Sequence, residues 1–110
     1  MRETRTRRRI EQLIELLGSR DQHVALRAEG RLIKIGTPAV EALIPATASK
    51  DAQVRFRAVW ALGKIGDRRA LRVIVALTAD RDARVAYDAA TVLDELKGAT
   101  FGPEELDTVL

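Results

Sequence analysis

The chain has 110 residues and a mass of 12.2 kDa, the size of one small domain, and its 46% hydrophobic and 32% charged residues form the balance of a globular helical protein. It has no cysteine, which excludes a disulfide framework and a thiolate metal site, and its single histidine, His23, excludes a histidine metal cluster. The net charge of +3 is uneven: residues 1–9 carry five arginines against Glu3, residues 20–72 eleven basic against five acidic side chains, and residues 80–110 three against eight.

From the N-terminus, residues 1–9 (MRETRTRRR) read as a basic, solvated tail. They lack the apolar stretch of a secretory signal, and no apolar run reaches membrane-spanning length, so a cytoplasmic location is expected and no membrane partner. Residues 10–98 then repeat themselves in three units, about 8–36, 37–66 and 67–98. Each opens on a helical stripe: Ile10-Leu13-Ile14-Leu17, Val40-Leu43-Ile44-Thr47, Leu71-Ile74-Val75-Thr78. A turn follows (Ser19-Arg20-Asp21, Ser49-Lys50-Asp51, Asp80-Arg81-Asp82), its last aspartate recurring after 30 and then 31 residues. That aspartate suits an N-cap, because its carboxylate can accept a free N–H of the first turn.

The second helix of each unit carries its own stripe. In 51–66, Val54, Ala58, Ala61, Leu62 and Ile65 fall at i, i+4, i+7, i+8 and i+11, one side of a helix of period 3.6. Gly36, Gly66 and Gly98 suit helix ends. Thr37-Pro38 and Asp67 restart the chain, and Pro45 predicts a kink within a helix over Pro38–Ala48. Residues 99–110 read as a capping segment. Pro103 starts a short helix whose Leu106, Val109 and Leu110 cover the last unit, with Phe101 as a plug. A fourth repeat cut short, leaving an apolar end for another subunit, is the alternative. Three hairpins that bury their stripes only by stacking imply no single globular core.

The segment DAQVRFRAVWALGKIGD, Asp51 to Asp67, resembles the second helix of a HEAT repeat. It is similar in particular to the short HEAT-like repeats of the phycobilisome (PBS) lyase type, with the pattern D-x-x-V-R-x-x-A-x-x-A-L-G-x-I-G-D. The first unit departs at Ala25 and Ile33, the third at Ala86 and at Val92-Leu93-Asp94. The resemblance covers about residues 10–98. It implies an all-α fold, an α-α superhelix (solenoid) of about three HEAT-like helical hairpins plus a C-terminal cap helix, right-handed, with the second helices lining a concave groove. It implies binding scaffolds rather than chromophore chemistry.

Side chains off the packing stripes form columns across the units: Leu26, Phe56, Tyr87; Gly30, Trp60, Thr91; Arg27, Arg57, Asp88; Lys34, Lys64, Glu95. In the geometry implied by the resemblance these face the groove, which places three of the chain's four aromatics there. Phe56 and Trp60 stand at i and i+4, so their rings are expected to be neighbours. Leu26, Phe56, Trp60 and Tyr87 are the expected anchors, and Arg27, Arg57 and Lys64 a charged rim suited to a protein or peptide partner, in particular an acidic one. The competing reading packs the aromatics between adjacent second helices.

No nucleophile, base and orienter stand together in the pattern, so no enzyme, cofactor or metal site is expected. His23 reads as a surface residue, and the Asp80, Asp82 and Asp88 group matches no calcium loop. Two alternatives remain. One is an accessory, lyase-like subunit of a larger complex. The other is a nucleic-acid-binding module working through the basic groove and the N-terminal arginines, weakened by Asp88 and Glu95 at the acidic end. The opposite charges of the two ends also suggest head-to-tail self-association.

Overall fold

The computed structural model describes residues 2–97 and 101–109. Its helices are α1 (Arg2–Leu16), α2 (Gln22–Ile35), α3 (Val40–Ala46), α4 (Ala52–Ile65), α5 (Leu71–Leu77), α6 (Ala83–Leu96) and α7 (Pro103–Val109), with short 3-10 turns at Thr37–Ala39 and Arg68–Ala70. The chain is an all-α stack of helical hairpins closed by a cap helix.

Local chemistry sets the boundaries. Asp21, Asp51, Asp67 and Asp82 all sit in extended backbone and accept N–H groups of the following turn. Asp51 takes that of Gln53 at 2.9 Å. The turns before α2 and α4 tighten in the same way, with Ser19 and Ser49 accepting the N–H of Asp21 and Asp51. At the other ends Gly36 and Gly66 take φ of 78° and 74°, where a side chain would be strained. Gly98, the expected third stop, lies outside the described residues.

Pro45 does not kink a long helix. The expected Pro38–Ala48 helix is instead a 3-10 turn followed by the seven-residue α3. α5, without proline, has the same length. What both share is the threonine that ends them: Thr47 and Thr78 turn their hydroxyls back onto the carbonyls of Ile44 and Val75, each at 2.6 Å.

Packing joins α1 to α3 and α5 to α7 in one row, and α2, α4 and α6 in the other. The thinnest dimension is 19 Å, about two helix diameters, which fits two layers. One continuous apolar cluster runs from Ile10 and Leu13 through Leu43 and Leu62 to Leu96, Phe101 and Leu106. The stacked hairpins therefore share a core rather than lacking one. Close approach is achieved at Gly63: a β-carbon there would collide with the Val92 side chain of α6. α7 covers α5, with Leu106 buried and Glu105 reaching Arg68 at 3.3 Å, and the Phe101 N–H bonds back to the Leu96 carbonyl.

The basic N-terminal segment is also not a separate tail. Residues Arg2 to Arg9 form the first turns of α1, continuous with the stripe that begins at Ile10, and all of them are exposed. Arginine is a good helix former, and Ile10, Leu13 and Leu17 anchor the rest of the helix.

Candidate partner-binding surface

α4 is the middle helix of the second row, between α2 and α6. Its apolar positions Ala58, Val59, Ala61 and Leu62 are buried on both flanks. That leaves Gln53, Arg57, Trp60 and Lys64, at i, i+4, i+7 and i+11, along the helix's remaining side. Only Lys64 is exposed there; the other three are half-buried.

The half-buried groups are tied to the preceding hairpin. Gln53 donates through Nε2 to the carbonyls of Leu17 and Ser19 at 2.9 and 2.8 Å, and its Oε1 accepts from Gln22 at 3.0 Å. Arg57 donates to Glu29 Oε1 at 3.1 Å and to Gln22 Oε1 at 3.0 Å. Burial pushes the Glu29 carboxyl above its ordinary range, while the bond and charge of Arg57 pull the other way. Arg57 is thus a packed, paired cation, with its side chain only 12% exposed, rather than a free member of the rim.

Phe56 is not an exposed anchor either. It is 8% exposed and belongs to the core cluster. The guanidinium groups of Arg84, from α6, and Arg57 lie 4.2 and 5.3 Å from its ring centre, a cation–π cover that seals it between helices. Trp60 is half-buried against the same cluster. Leu26 and Tyr87 are exposed, at 56% and 73%. Tyr87 leans toward the C-terminal edge, where it lines a cleft of about 350 Å³ with Thr78, Ala90, Thr91, Leu93, Asp94 and Lys97. The structure therefore spreads the expected patch into separate exposed pieces on α2 and α6 about a recessed tryptophan. Arg27 and Lys64 are exposed, and neither forms an ion pair with a described residue.

One pair that organises this surface was not foreseen. Arg55, 3% exposed, donates to both oxygens of Asp80 through Nε and Nη2, each at 3.0 Å, and through Nη1 to the carbonyls of Ser49 and Lys50 at 2.8 and 3.2 Å. Burial opposes the charge on Asp80, but the Arg55 bonds and the Asp82 N–H outweigh it and hold the carboxyl below its usual range. The sequence carries a signal for this pair. Asp80 occupies the place of Ser19 and Ser49 in the repeated turn and keeps their bond to the capping aspartate, at 2.9 Å. Arg55 likewise stands where the flanking units have Ala25 and Ala86.

The other two members of the Asp80, Asp82 and Asp88 group are also engaged: Asp82 caps α6, and Asp88 meets Arg84 at 3.7 Å. Among the described residues no group of three or more His, Cys, Asp or Glu gathers to hold a metal, and no helix is long and apolar enough to cross a membrane. A family model for HEAT repeats matches residues 10–94, which is 85 of the 110 residues. No curated protein matches the sequence.

Proposed function

We propose that this chain, which belongs to the HEAT-repeat family, is a non-catalytic scaffold that holds a protein or peptide on the concave face formed by its second helices. HEAT repeats commonly serve as protein-interaction scaffolds. The observation that supports the reading is that large apolar side chains along the row of second helices stand open to solvent or half-open. Leu26 on α2 and Tyr87 on α6 are exposed, and Trp60 lies half-buried on the helix between them. Trp and Tyr are enriched in binding hot spots because each offers wide contact area at small entropic cost.

In this arrangement Trp60 receives an apolar side chain of the partner, Leu26 and Tyr87 flank it, and Arg27 and Lys64 meet carboxylates at the rim. Phe56 and Arg57 act from beneath, fixing the spacing of α2, α4 and α6. The test is selection of binding peptides from a random display library against the intact chain, followed by titration of the winners. Trp60→Ala and Tyr87→Ala should each weaken binding by at least about 30-fold, the loss typical of a hot-spot residue. Selected peptides that bind the two variants as tightly as the parent would refute the assignment of the face.

A further inference from the structure

The second-helix face gives up much of its positive charge to internal partners, since Glu29 pairs with Arg57 and Asp88 with Arg84. The outer edge of the first hairpin keeps its charge. α1 carries Arg5 and Arg9 one turn apart, and α2 carries Arg27, Arg31 and Lys34 at i, i+4 and i+7, a single side of each helix. The fold brings the two rows together. Arg9, Arg31 and Lys34 line one cleft of about 370 Å³ with Ile35. Arg27 and Arg31 line an adjoining cleft of about 200 Å³ with Leu13, Leu16, Val24 and Ala28. All five cationic residues are exposed, and none forms an ion pair with a described residue.

Comparison with the inner units shows how unusual this edge is. The counterpart of Arg27 is Arg57, which is neutralised by the preceding hairpin, and the counterparts of Arg31 are the buried Ala61 and Val92. At these two positions the later units place apolar or paired groups and the first unit places unpaired arginines; at the third, Lys34, the second unit keeps an exposed Lys64 and the third turns to Glu95. Arg27 to Lys34 spans about 10 Å of helix axis, and neighbouring helices lie about 8–10 Å apart. A nucleic-acid duplex presents about six phosphates in 10 Å of its length, counting both strands. The two clefts are lined by cations and apolar side chains, with no carboxylate among their lining residues, which suits a continuous polyanion such as a phosphodiester backbone. Four of the edge's five cations are arginines, whose planar fork suits phosphate oxygens.

We infer that the outer edge of the first hairpin, formed by Arg5, Arg9, Arg27, Arg31 and Lys34, binds the phosphate backbone of a nucleic acid without reading its sequence. The contacts are to phosphate, which position a nucleic acid but carry no base information. Arg27 borders the Trp60 face as well, whereas Arg5, Arg9, Arg31 and Lys34 belong to this edge alone, so variants of those four test it apart from the Trp60 face.

The test is fluorescence anisotropy of the intact chain with a labelled duplex DNA and with a single-stranded RNA of equal length, as salt rises from about 50 to about 200 mM. Neutralising about five phosphates of a duplex gives a log–log salt slope of about −4.5, so this fourfold rise should lower affinity about 500-fold. Arg31→Ala with Lys34→Ala should remove nearly two units of slope and leave only about a 40-fold loss. Arg5→Ala with Arg9→Ala on α1 should act in the same direction and provides the check should the α2 variant fail to fold. Trp60→Ala should leave the binding unchanged. Binding of either nucleic acid with this pattern supports the inference, and the preferred strand state names the substrate. Three results would overturn it: no binding of either at low salt, a slope unmoved by both variant pairs, or equal binding of polyglutamate. So would a salt-sensitive oligomer of the chain alone that the same variants dissolve, because the occupant would then be the acidic end of a second copy.

Discussion

Replacing Asp80 with serine should destabilise the fold by about 3 kcal/mol, because it strands a buried guanidinium. In the wild type the Arg55 and Asp80 side chains are 3% and 6% exposed and share two bonds of 3.0 Å, so solvent screens the pair little. Removing one member of such a pair costs about 3–5 kcal/mol. The lower end applies, because Arg55 keeps the carbonyls of Ser49 and Lys50. Serine is the informative substitute: it can keep the turn bond made by Ser19 and Ser49 while removing the charge and the two oxygens that Arg55 holds. A domain of this length is stable by about 5–15 kcal/mol. Its unfolding entropy of about 0.23 kcal/mol/K turns a 3 kcal/mol loss into a fall in Tm of about 13 °C. Urea and thermal unfolding followed by circular dichroism would measure both.

The pH dependence supplies an independent sign. The folded-state carboxyl of Asp80 lies below its unfolded value of about 3.9, so its contribution is present above that pH and is lost as pH falls through the folded value. The gap between wild type and Asp80→Ser should therefore close in acid. Adding Arg55→Met should recover most of the loss, because an apolar side chain of similar length removes the uncompensated charge. A cost below about 1 kcal/mol, or a double variant no more stable than the single, would show that the pair behaves as a surface ion pair.

Other outcomes follow from the same contacts. Gly63→Ala should destabilise by up to about 2 kcal/mol, the overpacking against Val92 exceeding the helix-propensity gain; a double-mutant cycle with Val92→Ala should show a coupling of about 1 kcal/mol, and no coupling would mean that the helices simply part. Arg57→Ala should lift the already raised Glu29 carboxyl further above its unfolded value of about 4.3. A raised carboxyl makes the fold lose stability as pH rises, so the deficit of this variant should be larger near pH 7 than near pH 5 in urea titrations, and an equal deficit would refute the coupling. Phe56→Ala should cost about 3 kcal/mol as a core deletion, whereas Trp60→Ala, half-buried, should stay folded and lose about half as much; the reverse order in denaturation midpoints would mean that Trp60, not Phe56, is the packing residue.

The fold class and the ends of the second helices were legible from the residues because the interactions that set them are local. An aspartate cap reaches two or three residues ahead, and Gly36 and Gly66 relieve strain at their own positions. The spacing of Val54, Ala58 and Leu62 needs nothing beyond the period of the helix. The ends of α3 and α5 were harder, because the Thr47 and Thr78 back-bonds carry less signal than a proline. The basic run at residues 2–9 has the polarity of a solvated tail, and that polarity masks its continuity with the stripe starting at Ile10.

Burial and pairing across the units were decided elsewhere. Phe56 and Tyr87 occupy one column of the repeat, yet the first is sealed and the second bare, because Arg84 of the following helix covers Phe56. Arg27 and Arg57 also share a column, and only Arg57 has Glu29 of a preceding hairpin to meet it. Arg55 and Asp80 are 25 residues apart and become partners only when α4 and α6 stack. A repeat assigns each residue a direction from its own helix. Whether that direction ends in solvent, in a ring or on a carboxylate depends on which neighbouring helix lies there, and that is a property of the assembled stack.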